Sequence, residues 1–294
     1  MTQFSIYDPT IGSVTIRQIT RTRYNPSAQE LRAAAPGDTA DSLVALVRAE
    51  PRVTIDTEDI AGVISGIPVS SGLYISAGSI TIPWIKRQPG GTWASGTAHL
   101  TLTATNGLAI ASSFRARGTD NAEASIDLAL FSSDGLTSPV AANVNQSLAA
   151  SSFAGAFGLG PVKINGTTIG EVADVNIDTG LRLNLTRSGG GPYPDFASLE
   201  TPFRPRITIT TRDLTLLDSL HEIAAALTSL EVYFRKRADG GTYEADGNLS
   251  HCKFSFGAGL TLIDAAAGDE GDTATLSLQI EGKTLTAASG VAIT

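Results

Sequence analysis

Alternating apolar and polar positions recur along the chain and predict a mainly β protein with few helices. In residues 52–57, Val53 and Ile55 fall on one face of an extended segment while polar residues fall on the other. A strand with one buried face requires this pattern. Strands are also expected at 4–7, 12–19, 79–87, 97–105, 108–115, 124–132, 230–237, 248–256, 260–266 and 274–280. Turn-forming residues between several of these segments favour hairpins.

Apolar residues at helical spacing occur in only a few places. They are clearest in residues 213–227, where Asp213 is placed to cap a helix. In the first half, residues 61–68 contain two glycines and a proline, which predict a short or broken helix. Further upstream, residues 27–30 resemble a helix start, and the apolar run at 41–48 predicts a second short helix.

An eight-residue segment occurs twice, at positions 86–93 and 236–243. Five of the eight positions are identical, and the last exchanges one aromatic residue for another. The two segments are Lys86-Arg87-Gln88-Pro89-Gly90-Gly91-Thr92-Trp93 and Lys236-Arg237-Ala238-Asp239-Gly240-Gly241-Thr242-Tyr243. In both halves the segment is expected at the tip of a hairpin between two predicted strands.

Other segments match at nearly the same offset. They are 51–60 with 205–214, His99 with His251, 107–110 with 259–262, 124–128 with 274–278, and 134–137 with 281–284. Because the matches occur in the same order in both halves, and the difference in residue number changes only slightly and within turns, they predict two tandem copies of one domain. The competing interpretation is that β-rich sequences with many threonine and glycine residues resemble one another by composition.

The predicted copies are residues 1–150 and residues 151–294. Each is expected to form a β-sandwich or barrel-like domain with one flanking helix and a long exposed hairpin, and about 150 residues is an ordinary domain size. Residues 147–160 have neither periodicity nor charge and are expected to link the two copies.

The charge of the chain argues against tight nucleic-acid binding. The net charge is −8, and the basic residues form no cluster beyond isolated Lys-Arg pairs, whereas tight binding to phosphates needs many cations. No apolar run reaches the length of a membrane span, and the N-terminus has no signal-peptide pattern. We therefore expect no membrane association and a product made in the cytosol.

Residues with the chemistry for catalysis are few and scattered. The single cysteine, Cys252, lies in a predicted strand, where a buried thiol is expected. The three histidines fall in different predicted elements, which disfavours a metal site. No nucleophile, phosphate-loop, dinucleotide or zinc motif occurs. We expect no catalytic residues, no metal and no cofactor, although the number of carboxylates alone leaves a glycosidase pair open.

The predicted layout resembles the tube domain of long-tailed bacteriophages. The resemblance covers nearly the whole chain in layout and is closest in the second half, at 170–172, 179–181, 193–194 and 212–213. It implies that subunits pair sheet edges into a ring with an inner β-barrel, and that a doubled domain closes as a trimer with pseudo-sixfold symmetry. The implied protein is a virion tail component, assembled in the host cytoplasm, that contacts itself and other tail proteins.

The same resemblance implies roles for particular residues. The repeated hairpin tips, 86–93 and 236–243, become contacts between stacked rings. An acidic lumen or rim, past which DNA slides without tight binding, is formed by Asp120, Glu123, Asp127, Asp269, Glu270 and Asp272, with Ser277 also facing the lumen.

Two other functions remain open at this stage. The doubled domain suits a tail adaptor or baseplate hub that is present once per particle. A β-sandwich that recognises carbohydrate or a host surface is a different class, although the chain has only two tryptophans to stack against sugars.

Overall fold

The computed structural model confirms a mainly β fold. It describes residues 3–34, 40–41, 43–67, 69, 75–77, 79–88, 92–216, 227–238, 240–257, 259–270 and 273–294. The elements of the first half are Gln3–Ile6 (β1), Thr10–Ile11 (β2), Val14–Thr15 (β3), Ile19–Asn25 (β4), Gln29–Ala33 (β5), Leu43–Arg48 (β6), Arg52–Thr57 (β7), Ile60–Gly66 (α1), Ile75–Ala77 (β8), Ile80–Arg87 (β9), His99–Ala104 (β10), Gly107–Arg117 (β11), Glu123–Leu130 (β12) and Val140–Gln146 (β13).

In the second half, the elements whose bounds the structure describes are strands. They are Phe157–Ile164 (β14), Thr167–Thr168 (β15), Val172–Asp178 (β16), Leu183–Thr186 (β17), Phe196–Leu199 (β18), Arg206–Thr211 (β19), Leu230–Lys236 (β20), His251–Gly257 (β21), Thr261–Glu270 (β22), Thr273–Glu281 (β23) and Thr284–Val291 (β24).

Two short sheets each belong to one half of the chain. The first short sheet has the order β13-β10-β9-β2-β3, with β1 also paired to β9, and the second short sheet has the order β24-β21-β20-β14-β15. The N-terminal segment pairs with β9 in two pieces, β1 and β2, and the matching strand β14 pairs with β20 across a bulge. The pairing order is therefore the same in both halves.

A third sheet runs through both halves. This long sheet has the order β22-β23-β19-β16-β11-β12-β7-β4, with β8 also paired to β11. Four strands of its main order come from each half, and the halves meet where β16 pairs with β11. The predicted boundary near residue 150 therefore does not interrupt the sheet.

One hydrophobic core connects the three sheets. In the long sheet, Val53 and Ile55 are buried while the residues between them are less so. They belong to one buried cluster with Ile82 of the first short sheet and Phe254 of the second. Both short sheets thus pack on one face of the long sheet. The other face carries polar side chains along much of its length, but Leu108 and Ile110 of β11 are buried there under the β17–β18 hairpin.

Helix α1 confirms the short helix predicted in the first half. Asp59 caps it, since its side chain accepts a hydrogen bond from the N–H of Gly62 at 2.9 Å and another from the N–H of Arg17 at 3.2 Å. The N–H of Asp59 donates to Thr57 Oγ1 at 3.0 Å. The cap fixes the turn between β7 and α1.

The same Thr-x-Asp arrangement follows β19. The N–H of Asp213 donates to Thr211 Oγ1 at 3.0 Å, and its side chain accepts from the N–H of Gly170 at 3.3 Å. The helix predicted at 213–227 lies largely outside the described residues, which omit 217–226.

The two short helices predicted from 27–30 and 41–48 are wrong. These residues form the antiparallel hairpin of β5 and β6. Its apolar side chains are mostly exposed on both faces, so no core contact selects a helical stripe, and Val44 and Val47 favour extended backbone.

Three smaller predictions also need correction. Of the strand expected at 12–19, residues 12 and 13 form a turn, in which the φ of 60° at Gly12 suits glycine, and Val14–Thr15 form β3. The chain then leaves the extended conformation at 16–18, where Gln18 has a φ of 51°, and β4 begins at Ile19. The linker expected at 147–160 ends earlier, because Phe157 begins β14. No strand was predicted at the positions of β8, of β13 to β18 or of β24.

Strand pairing also shifts one of the matches between the halves. The sequence match pairs Ala124 with Ala274, but Ala124 lies opposite Thr57 and Leu276 lies opposite the matching Thr211. Because Thr57 and Thr211 make the same contacts, the pairing register aligns Ala124 with Leu276.

The buried cap at Asp59 yields a stability prediction. Replacing Asp59 with alanine removes acceptors for two backbone N–H groups, so the free energy of unfolding is expected to fall by about 1–2 kcal/mol. Urea unfolding measures this change. Asp59→Asn retains one side-chain acceptor and is expected to lose less, and equal stability of the alanine variant and the wild type would contradict the assignment.

Candidate assembly interface

The pairing of β11 with β16 shows how one half of the chain docks onto the other. Five residue pairs run antiparallel from Ser113 opposite Asp178 to Arg117 opposite Asp174. We call this β11–β16 pairing, with the side-chain contacts around it, the joint. The long sheet continues across the joint without a gap, so the backbone groups of both strand edges are hydrogen-bonded.

Side chains reinforce the joint on both faces. On the polar face, Arg115 Nη2 lies 2.7 Å from Asp174 Oδ2, and Arg117 Nε lies 3.9 Å from the same oxygen. On the core face, the ring centroid of Phe114 lies 4.7 Å from that of Phe254 in the second short sheet. Ion pairs set the alignment of the strands and aromatic packing buries apolar surface.

The turn between β11 and β12 adds contacts to the second half. The N–H of Gly118 donates to the carbonyl of Ala173 at 2.8 Å, and the N–H of Ala122 donates to the carbonyl of Phe157 at 2.7 Å. The joint therefore includes β14 of the second short sheet as well as β16.

The two edge strands of the long sheet, β4 and β22, are equivalent in position to the two strands of the joint, β16 and β11. Strand β4 pairs with β7 as β16 pairs with β19, and both pairs shift register near the start, after Ile19 and after Val172. Strand β22 beside β23 likewise takes the place of β11 beside β12. Within the described part of the chain, the outer edges of β4 and β22 have no partner strand.

Residues buried at the joint have exposed counterparts at the open ends. Ile177 in β16 is fully buried, whereas Tyr24 at the matching position of β4 is 38% exposed. Phe157 and Phe4 each lie opposite the lysine of a repeated segment, yet Phe157 is 2% exposed and Phe4 is 43% exposed. The open end thus carries aromatic side chains where the joint buries apolar ones.

The described residues of the repeated segments make the same contacts in both halves. Arg87 bridges to Trp93 and Arg237 bridges to Tyr243 at the bases of the two tips. The guanidinium carbon lies over the partner ring, 4.9 Å from its centroid for Arg87 and 5.1 Å for Arg237. These cation–π contacts hold each Arg-aromatic pair together.

The remaining residues of the tips are placed as follows. The carbonyl of Thr92 accepts from the N–H of Gln88 at 2.8 Å, and that of Thr242 accepts from Ala238 at 2.9 Å. Gly240 and Gly241 have φ values of 84° and 85°, which favour glycine. Gly90 and Gly91 lie outside the described residues.

His99 and His251 have the same structural role in the two halves. The Nδ1 atom of His99 accepts from the N–H of Lys86 at 3.2 Å, and that of His251 accepts from the N–H of Lys236 at 3.1 Å. Both rings are buried. Each imidazole therefore fixes the base of a tip.

The two tips differ in their surroundings. The guanidinium of Arg237 donates to the carbonyls of Thr119 and Asp120, the latter at 3.1 Å, in the turn between β11 and β12. The matching Arg87 is exposed, as is Trp93. The second tip thus takes part in the joint, and the first tip lies free on the surface of the chain.

The predicted acidic residues lie at several places on or beside the long sheet. Asp127 is in the middle of β12, where its carboxylate accepts from Thr54 Oγ1 at 2.9 Å. The turn before β12 contains Asp120, the first residue of β12 is Glu123, the last residues of β22 are Asp269 and Glu270, and Asp272 lies outside the described residues.

The polar face of the long sheet also carries arginines. Arg206 Nη2 lies 3.2 Å from Glu281 Oε2, and Arg21 Nε lies 4.0 Å from Asp56 Oδ2. Together with the pairs at the joint, these contacts make the face one of mixed charge. Sequence analysis missed this, although Arg-x-Arg at 21–23 and 115–117 is a visible signal of charge on one face of a strand.

The hairpin of β5 and β6 is the most apolar exposed surface described. Its exposed large apolar side chains are Leu31, Leu43, Val44, Leu46 and Val47. Large exposed apolar patches mark contact surfaces.

The described residues hold no group of three or more metal-ligating side chains. Burial raises the pKa of the Cys252 thiol to about 12, with a smaller contribution from the charge of Asp59, and this thiol is therefore unreactive near neutral pH. No helix in the described ranges is long and apolar enough to cross a membrane.

Neither a protein-family model nor a curated protein matches this sequence. The argument about function therefore depends on the geometry of the joint and of the open edges.

Proposed function

We propose that this chain is a structural protein that assembles head to tail into closed rings, as the tube proteins of long-tailed bacteriophages do. The observation that carries the proposal is the β11–β16 joint, because strands equivalent to its two sides occur again in β4 and β22, whose outer edges have no partner among the described residues. A contact between unlike edges repeats until the ring closes. The two halves are, in this proposal, tandem copies of one domain.

A ring of three chains gives a barrel of suitable size. Each chain contributes eight strands of the long sheet, four from each half, so three chains give 24 strands. With strands about 4.8 Å apart and tilted by about 40°, the barrel backbone has a diameter of roughly 50 Å. Such a barrel leaves room for a DNA duplex after side chains are added.

The polar face of the long sheet is the side we assign to the lumen. One face is covered by the two short sheets. The other is covered where the β17–β18 hairpin packs on Leu108 and Ile110, and the rest of that face is left for the inside of the barrel. Carboxylates such as Asp127 there are interspersed with arginines in ion pairs, and the chain as a whole is acidic. This wall offers phosphates no uniform basic surface, so DNA is expected to pass without tight binding.

The exposed hairpins receive separate roles. Because the Arg237 tip contacts the neighbouring half within the joint, we assign the matching tip with Arg87 to the neighbouring chain in the same ring. The apolar β5–β6 hairpin is the better surface for the next ring in a stack. The assembled tube is part of the virion tail, is built in the host cytoplasm, and meets other tail proteins at its ends.

Electron microscopy of the purified protein tests the proposed assembly. Negative-stain images at increasing protein concentration are expected to show rings with a central hole, stacked into tubes. Light scattering of the same samples gives the mass of the smallest ring, for which three chains are expected. A chain that stays monomeric at high concentration would overturn the proposal.

The β5–β6 hairpin gives a second prediction that separates rings from tubes. Replacing Leu43, Val44 and Leu46 with serine removes exposed apolar surface without touching the core, so single rings should persist while tubes become shorter. Replacing the hairpin arginine Arg32 with serine is the matched control and is expected to leave tube length unchanged. Loss of rings in the triple variant would contradict the assigned role.

A further inference from the structure

The register of the contact between chains follows from the joint within the chain. Matching residues of β4 and β16 differ in number by 153, as Arg21 and Asp174 do. Strands β11 and β22 are related by the same difference, since Phe114 and Ala267 lie opposite the matching residues Ala124 and Leu276. Each residue pair of the joint therefore has an equivalent pair between β4 of one chain and β22 of another.

The carried-over register pairs β4 of one chain with β22 of the next, antiparallel. Within the chain, Arg115 lies opposite Asn176 and Arg117 lies opposite Asp174. The equivalent pairs between chains are Gly268 of β22 opposite Arg23 of β4, and Glu270 of β22 opposite Arg21 of β4. Each residue of the joint thus has a named counterpart between chains.

The charges in this register are reversed relative to the joint. Within the chain, β11 supplies arginines and β16 supplies Asp174, which pairs with Arg115 at 2.7 Å. Between chains, β4 supplies Arg21 and Arg23, and the acidic residue comes from the strand that takes the place of β11, at Glu270. In sequence, the residues that the register places opposite one another therefore carry opposite charges in both cases, with the polarity reversed.

We propose that this reversal makes a second copy of the chain the specific partner of each open edge, with β4 of one copy on β22 of the next in the register Arg21–Glu270. The inference rests on the proposed ring assembly and adds its register and its selectivity. The exposed Tyr24 and Phe4 are buried in this contact, as Ile177 and Phe157 are within the chain.

Contacts between like edges are disfavoured for the same reason. Two β4 edges bring arginines together, and two β22 edges bring carboxylates together, which destabilises cross-strand pairs. A free β4 edge is also repelled by the arginines of β11 if a joint opens. First and second halves of the chain therefore alternate around the proposed ring.

Disulfide trapping tests the register directly. Arg23→Cys with Gly268→Cys places two thiols directly opposite each other, within the Cα separation that a disulfide accepts. A Cβ added at Gly268 meets no atom within 4 Å, and the native Cys252 is buried. Oxidation is expected to give disulfide-linked multimers on a non-reducing gel, with three chains as the largest closed product.

The matched control moves one thiol by two residues along β22. Arg23→Cys with Ala266→Cys has the thiols on a diagonal, about 7–8 Å apart, and at least fivefold less cross-linking is expected. Arg23→Cys alone is expected to give no dimer. Equal cross-linking of both pairs, or dimers from the single variant, would overturn the proposed register.

Charge reversal tests the selectivity. Arg21→Glu and Glu270→Arg each create a like-charge pair, so each is expected to raise the concentration needed for assembly about tenfold. The double variant restores opposite charges between chains and is expected to assemble at a clearly lower concentration than Arg21→Glu alone, although the new carboxylate at position 21 still lies opposite Asp56 within the chain. Lys283→Glu, at an exposed lysine between β23 and β24, is the control. A double variant that assembles no better than Arg21→Glu would overturn the inference.

A mixture of the two single variants separates this inference from the proposed trimer. Where chains of the two variants alternate, every contact between chains joins opposite charges. Three chains in a ring cannot alternate completely, so such a ring must contain one like-charge contact. Recovered pairing without recovered closed rings is expected. Rings that close fully from the mixture would support the β4–β22 contact but overturn the trimer. Disulfide-trapped multimers that never form tubes would overturn the tube function alone.

Discussion

A strand at the edge of a sheet presents backbone N–H and C=O groups that another strand satisfies best. In this protein the edge of β11 is satisfied by β16, and the architecture depends on that pairing. It joins two sets of strands with the same order into one long sheet, aligns the short sheets on one face, and brings Phe114 against Phe254. It also leaves the two remaining edges, β4 and β22, chemically unlike. A chain with one edge of each kind is suited to continue the same pairing with its own copies.

Local sequence patterns predicted the parts of the fold that local forces decide. The strand at 52–57, the arms of the hairpins, the short helix after β7 and the equivalence of His99 and His251 all follow from periodicity or repetition. The β5–β6 hairpin was missed because its apolar residues meet no core in the isolated chain, so their spacing carries no information about a buried face. Strands β13 and β24, at the edges of the two short sheets, were missed because their sequences contain few large apolar residues.

The joint was beyond sequence reasoning for a different reason. The pairing of β11 with β16 connects segments far apart in the chain, and nothing in either strand alone selects the other. The charges on those strands were visible, but they gain meaning only once Arg115 and Asp174 are placed opposite one another. Once the joint is known, the repeat turns it into a template, and Arg21 and the acidic end of β22 become interpretable.

In the proposed ring, carrying two units on one chain changes the energetics of closure. Six separate units would lose the translational and rotational freedom of five free molecules on closing, whereas three doubled chains lose that of two. In the doubled chain, three of the six contacts in the ring form within a chain at high effective concentration. Only the β4–β22 contacts then depend on protein concentration. The reversal of charge between the two kinds of contact lets them differ in strength without exchanging partners, so control of assembly rests on the few residues at the open edges.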